Sequence, residues 1–507
     1  MLFNSLGFLF FLPVVFVLYW AAPQKYRKIV LLLVSYYFYF SCSAFYTLIL
    51  MATTAVTYFA GLRLEQCTVE KKKKQILAAG VIITAGILGF FKYFDFISVT
   101  ITDFFNLFGL GLNEFTLKLV QPIGISFYTF QSISYIADVY RGKAKAEKNP
   151  LIFALYISFF PQIISGPIAR TNDLLWQIKE EREFDYDNAA LGLRVMLWGY
   201  FKKLIVADTL GKYVDIIYAN VPYYFGTTFI MASLMYTFQI YCDFSGYSEI
   251  ALGTAKLFNI NLSTNFKASY LSRSVKEFWT RWHISLSTWF RDYVYIPLGG
   301  SRCARWRTNL NLILTFLVSG LWHGANWTFI FWGGLHGIYQ VLEKYAVRLF
   351  GSGREKKDGA IVRPMAVTGE LPAGSRLTIG LCLKNILQWL ITFHVVSLLW
   401  IFFRANTIED ALFIITHMHN GVIFHFGASW EKMMTDMSLT AAELWKLFGF
   451  VTAIMVYDFI SLKRDLMEDF KKLPLVPRWV IYTALTSLIV VLRLYSGTKQ
   501  SFIYFNF

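Results

Sequence analysis

Charge is scarce in this chain of 507 residues: Asp, Glu, Lys and Arg make up 16% of it, against about 25% in an ordinary soluble domain. Hydrophobic residues make up 56%, and mean hydropathy is +0.47. A water-soluble fold cannot hide that much apolar surface, so the chain reads as a polytopic membrane protein. Alternating apolar and polar segments are also missing, which argues against a porin-type barrel. A single-span receptor is excluded, because apolar stretches run from Leu2 to the last residue. Cysteine is rare: Cys42, Cys67, Cys242, Cys303 and Cys382 are scattered with no CxxC, so neither a disulfide framework nor a zinc site is implied. The first twenty residues, MLFNSLGFLFFLPVVFVLYW, lack the basic start and small-residue cleavage site of a signal peptide and read as a retained first membrane helix. No internal repeat is visible, which weakens an inverted-repeat transporter. Acidic residues are fewer than basic ones, 32 against 48, for a net charge of +16. In a soluble chain that would point to nucleic acid. Here the basic residues gather in short loops, as the positive-inside rule requires, and no nucleic-acid partner is expected.

Uncharged runs mark the expected spans. They begin with Leu2–Pro23 and Ile29–Leu62. The second would make a helix of about 51 Å, too long for a hydrocarbon core of about 30 Å. It reads as two short helices broken near Ser41-Cys42-Ser43. Gln75–Phe91, Leu119–Ala137, Pro150–Ala169, Leu191–Tyr200 and Phe229–Cys242 follow. Thr308–Leu342 is a second double-length run, with Gly320, Gly324, Gly333 and Gly334 as candidate break points. Asn385–Phe403, Leu447–Tyr457 and Trp479–Leu492 complete an all-α bundle of about 11 to 13 spans. Basic clusters at Lys25–Lys28, Arg63 with Lys71–Lys74, Arg141–Lys148, Arg302–Arg307, Arg354–Arg363 and Lys463–Arg478 are assigned to the cytoplasm. Both termini then fall outside. Gly351–Arg376, rich in Gly, Lys and Pro, reads as a cytoplasmic linker.

Polar groups at membrane depth are costly and usually functional. Two segments concentrate them. Lys276–Arg302, KEFWTRWHISLSTWFRDYVYIPLGGSR, is too charged to span and too aromatic for a free loop. It fits a helix lying at or dipping into the cytoplasmic interface, either as a functional segment or as an aromatic anchor with snorkelling arginines. In Ser319–Gly337, SGLWHGANWTFIFWGGLHG, His323 stands in an uncharged run between Gly320 and Gly324. A histidine buried in hydrocarbon stays neutral, so a ring nitrogen can act as a base; hydrogen bonding between helices is the alternative. On an unbroken helix His336 would lie about 20 Å further along and about 220° around, so it is expected to be structural. His394 is expected in a core. His417, His419 and His425 flank a loop around Asn420 and Gly421, without the acidic or cysteine partners a metal site would need.

FWTRWHISLSTWFRDYVYIPLGG and WHGANWTFIFWGGLHG resemble the two signature blocks of the membrane-bound O-acyltransferase family, and most closely its bacterial branch that acetylates cell-surface polysaccharides. The likeness extends through PIGISFYTFQSISYIADVYRG and FFPQIISGPIAR; Thr280 stands where this branch often has a second arginine. The resemblance implies one membrane domain: N-terminal helices over 1–118, a catalytic core over 119–349, a linker over 350–378, C-terminal helices over 379–494 and an outer aromatic tail over 495–507. It puts the family's histidine on His323 and its second, more variable polar position on His283. Arg281, Trp282, Ser285, Arg291, Asp292, Trp322 and Asn326, all inside the two blocks, are the expected substrate-binding residues. The terminal FIYFNF is similar to an F-x-Y-x-x-F motif of acyl-exporting members, whose tyrosine is proposed to carry the acyl group; that role would fall on Tyr504. The alternative for this tail is an interfacial plug. The implied activity is O-acetylation of a polysaccharide or peptidoglycan outside the bacterial cytoplasmic membrane. The donor would be cytoplasmic acetyl-CoA, with no bound cofactor or metal, and a separate extracytoplasmic SGNH-type transferase would be the partner. D-alanyl or other acyl transfer, and a non-enzymatic transporter or flippase, are the rival readings.

Overall fold

A computed structural model describes residues 1–350, 379–421, 426–496 and 500–505. The expected linker and His425 lie outside them. Every regular element among the described residues is a helix, as the apolar runs require. Five of these helices are long and apolar enough to cross a membrane: Ala44–Gln66, Glu70–Asn106, Cys382–Arg404, Ala441–Ser461 and Leu475–Leu494. Leu6–Ala21 and Pro150–Ile163 are shorter apolar helices. The count is below the 11 to 13 read from uncharged runs because absence of charge is a weaker criterion than length with hydropathy. Leu119–Ala137, for example, stays without regular structure until Gly124, and its helix starts at Ile125. The chain is a multi-pass membrane protein, with large apolar side chains such as Leu48, Ile82, Leu387, Phe448 and Val480 on the outer faces of these helices.

Both double-length runs are split. The first stops at Phe40; the Ser43 hydroxyl then accepts the Tyr46 N–H at 3.4 Å and opens Ala44–Gln66, an N-cap satisfying a backbone donor that the helix cannot. The second divides at Gly324 into Arg305–His323 and Trp327–Phe350. Asn326 opens the latter by accepting the Thr328 N–H at 3.0 Å. The other three glycines stay helical, and two of them let the hairpin close. A Cβ on Gly320 would lie 2.2 Å from the Phe329 carbonyl oxygen, and one on Gly333 would lie 2.3 Å from that of Phe316. Gly333→Ala should therefore force the helices apart and cost about 1–3 kcal/mol by overpacking, read as a lower thermal midpoint of the purified protein. Gly449→Ala, with nothing within 4 Å of the new methyl, should not lower the midpoint and should raise it slightly, as alanine favours a helix interior over glycine.

The chain forms two compact units. One comprises Met1–Gly199 with Tyr247–Thr264. In it Phe3 packs edge-on to Phe8 and against Tyr247, at ring separations of 4.9 and 5.7 Å. Gln177 and Asn261 exchange two 2.9 Å hydrogen bonds between side chain and backbone. Buried Gln131 receives the Gln162 amide at 3.0 Å and donates to the Tyr156 carbonyl at 2.8 Å. The other unit comprises Tyr200–Gly246 with Asn265–Asn506 and contains both signature-like segments. His394, expected in a core, faces outward from Ile379–Arg404. An apolar helix that meets lipid on one side and protein on the other is apolar on both faces, so hydropathy alone does not orient a residue on it.

Candidate active site

Lys276–Arg302 is not one interfacial helix. It forms Val275–Arg281 and Ile284–Phe290, joined at a sharp turn, and continues through a π turn at Arg291–Tyr295. The turn sits on His283, whose φ is +44°, a left-handed conformation that a residue with a Cβ adopts at some cost. Its surroundings hold it there. The Asn265 carbonyl accepts the Ile284 N–H at 2.9 Å and the Asn265 Oδ1 accepts the Ser285 N–H at 3.2 Å. The Arg281 carbonyl accepts from the Lys267 N–H at 3.0 Å and from the Ser269 hydroxyl at 2.7 Å. Strain supported on both sides in this way commonly marks a functional position.

His323 ends the Arg305–His323 helix and is buried, as is His283. The ring of Tyr504, half-buried in the short turn Ile503–Phe505, lies near both. Its centroid is 5.7 Å from His323, 6.2 Å from His283, 6.3 Å from Trp322 and 4.4 Å from Phe244. Phe244 also meets His283 edge-on at 4.6 Å, while Trp332 and Phe403 stand 5.0 and 5.2 Å from His323. The aromatic wall limits water around the two imidazoles. Chemically, the arrangement offers two potential bases and one hydroxyl nucleophile in a largely apolar chamber.

The other expected site residues separate into two groups. Trp322 joins the chamber, 6.1 Å from His283. Trp282 is buried behind it, packed on Phe266, Trp400 and Phe278 at 5.0, 5.1 and 5.3 Å. Buried Ser285 belongs to the Asn265-supported turn. Arg281 turns to Glu277, one helical turn back, at 2.6 Å. Arg291 and Asp292 pair with each other at 2.8 Å, with the arginine side chain 60% exposed. Asn326 is a helix cap that also donates to the Asn406 carbonyl at 3.1 Å. His336 does not share the chamber, although the unbroken helix from which that was expected does not exist. It accepts the Trp279 indole N–H at 3.3 Å, and Trp332 stands between it and His323, 4.9 and 5.0 Å from the two rings. His417 stacks on Phe413 at 3.9 Å, and no cluster of potential metal ligands occurs among the described residues.

Sequence reasoning missed a set of buried charges. Lys203, in the π-helical segment Phe201–Ala207, pairs with Asp243 and, at 2.9 Å, with Asp208; Asp208 also meets Arg493 at 3.0 Å. Two signals were available: a lysine pair inside YFKKLIVAD and a lone aspartate inside QIYCDFSGY, both ionisable groups in otherwise apolar stretches.

The model of the MBOAT, membrane-bound O-acyltransferase, family matches residues 31–361. A probable alginate O-acetylase of Pseudomonas aeruginosa is 37% identical over 467 residues, 92% of this chain and 82% of its own. A peptidoglycan O-acetyltransferase of Helicobacter pylori is 32% identical and covers 100% of this chain and 98% of its own. A teichoic acid D-alanyltransferase of Bacillus subtilis is 30% identical over 45% of this chain and 61% of its own.

Proposed function

This chain belongs to the membrane-bound O-acyltransferase family and is a membrane O-acyltransferase, and from that premise we propose that it carries acetyl groups from cytoplasmic acetyl-CoA to a polysaccharide or peptidoglycan outside the bacterial cytoplasmic membrane, by way of an acetyl ester on Tyr504. The observation that supports the route is the 5.7 Å ring separation of Tyr504 from His323. Relatives matched over nearly the whole chain are named for O-acetylation, which favours acetyl over D-alanyl transfer; the D-alanyltransferase aligns with less than half of it.

In the first step His323 takes the phenolic proton as the Tyr504 oxygen attacks the thioester carbonyl. The carbon–sulfur bond breaks, and CoA leaves with the proton returned from the imidazole. A phenol has a pKa near about 10, well below that of a sugar hydroxyl. Its ester is therefore the more activated, and transfer onward to the polymer runs downhill. An SGNH-type transferase outside the membrane would catalyse that second step and release the phenol. Arg273–Arg307 supplies basic residues for the phosphates of CoA.

Deleting the protein should remove base-labile acetate from the outer polymer, and re-expression should restore it. Loss of D-alanine with acetate intact would favour the other acyl group. The donor side has its own test. Single cysteines at Lys71–Lys74, in a background without the native five, should label only from the inner face. Labelling from outside would overturn the orientation and with it the cytoplasmic donor.

A further inference from the structure

The tail that bears Tyr504 is gripped by its backbone. The Ile503 N–H donates to Asp243 Oδ2 at 2.7 Å, and Lys203 Nζ donates to the Ser501 carbonyl at 3.3 Å. Both charged side chains are buried, Lys203 at 1% and Asp243 at 3% exposure. They belong to the balanced quartet of Lys203, Asp208, Asp243 and Arg493. Just upstream, Gln500 donates to Asp215 Oδ2 at 2.9 Å, and Arg404 holds the other oxygen of that carboxylate at 2.6 Å. Beyond the grip, the buried ring of Phe502 packs on Phe244 and Tyr504 at 5.8 and 5.6 Å.

Burying three charges beside a part-exposed fourth, Arg493, is a poor way to gain stability, because desolvation offsets much of their attraction. It is a good way to fix a position, because each polar atom has few acceptable geometries. Here one carboxylate and one ammonium are directed at peptide groups of the tail two residues apart, while the Ser501 side chain points to the exterior. Building on the Tyr504 relay, we propose that Lys203 and Asp243 are positioning residues: they clamp the peptide groups of residues 501 and 503 and so set Tyr504 near His283 and His323. The clamp reads the backbone, so the nucleophile is chosen by its distance along the chain, one residue after the clamped N–H.

The test uses the full-length protein in vesicles with labelled acetyl-CoA. Ile503→Pro deletes one N–H and leaves the four-charge cluster intact, and proline suits the first position of a helical turn. Ile503→Ala keeps the N–H and trims the side chain. Ile503→Pro should transfer about 10- to 100-fold less acetyl than Ile503→Ala, the effect of one hydrogen bond to a charged group. An alanine inserted between Ile503 and Tyr504 should abolish transfer, whereas one inserted between Lys499 and Gln500 should leave most of it. Hydrogen exchange on the C-terminal peptide gives a readout independent of chemistry. Its amide protection should fall in the Lys203→Met, Asp243→Leu double variant, in which apolar groups replace the pair. Unchanged protection there overturns the clamp. With Tyr504 required for transfer, equal activity of Ile503→Pro and Ile503→Ala, or equal damage from both insertions, also overturns it. If Tyr504→Phe stays active while protection still falls in the double variant, the relay fails and the clamp stands.

Discussion

His323→Ala should reduce acetylation of the outer polymer to background while the protein still accumulates in the membrane. The imidazole is buried at a helix end among Trp322, Trp332 and Phe403, so its loss leaves a small cavity bounded by large rings. Removing a general base costs about 10²- to 10⁴-fold in rate. Normal acetylation in this variant would remove His323 as the base. His283 should matter less, since the proposed step takes its base from His323 alone. Its left-handed turn makes alanine a poor probe; asparagine tolerates that conformation and separates chemistry from backbone strain. A loss in His283→Asn equal to that in His323→Ala would show the two histidines to be ranked wrongly.

Tyr504→Phe should be equally damaging, for a different reason. The change removes one oxygen and keeps the ring that packs against Phe244 at 4.4 Å and Phe502 at 5.6 Å. A tail that only filled space would tolerate it, because phenylalanine has nearly the same shape and avoids burying a hydroxyl. A covalent relay loses its nucleophile and all transfer with it. Full activity of Tyr504→Phe would sink the relay but leave direct transfer at His323 open, with the acceptor entering the chamber itself.

Much of this site was legible in the chain. His323 stood out as an ionisable residue between glycines in an uncharged run, and the tail stood out because apolar aromatics should not end free in water. That both long runs break followed from length, since neither fits a bilayer as one helix, but length did not choose Gly324 among the four candidate glycines. Direction was harder. Arg281, Arg291, Asp292 and Asn326 have the right chemistry, yet they satisfy neighbours in their own segments or cap a helix. Composition names a side chain without saying which way it turns. The clamp residues were legible only singly, as ionisable groups in apolar stretches; their meeting was not. Lys203, Asp243 and the peptide groups at 501 and 503 come from three distant stretches, and only tertiary packing brings them together.

The relay is tested most directly by the mass of the C-terminal peptide. Protein incubated with acetyl-CoA, then digested and weighed, should carry one acetyl group on Tyr504. The adduct should be labile to hydroxylamine, absent from His323→Ala, and lost when the acceptor enzyme and its polymer are added. A C-terminal peptide that stays unmodified while the same preparation transfers acetyl to the polymer would contradict the account.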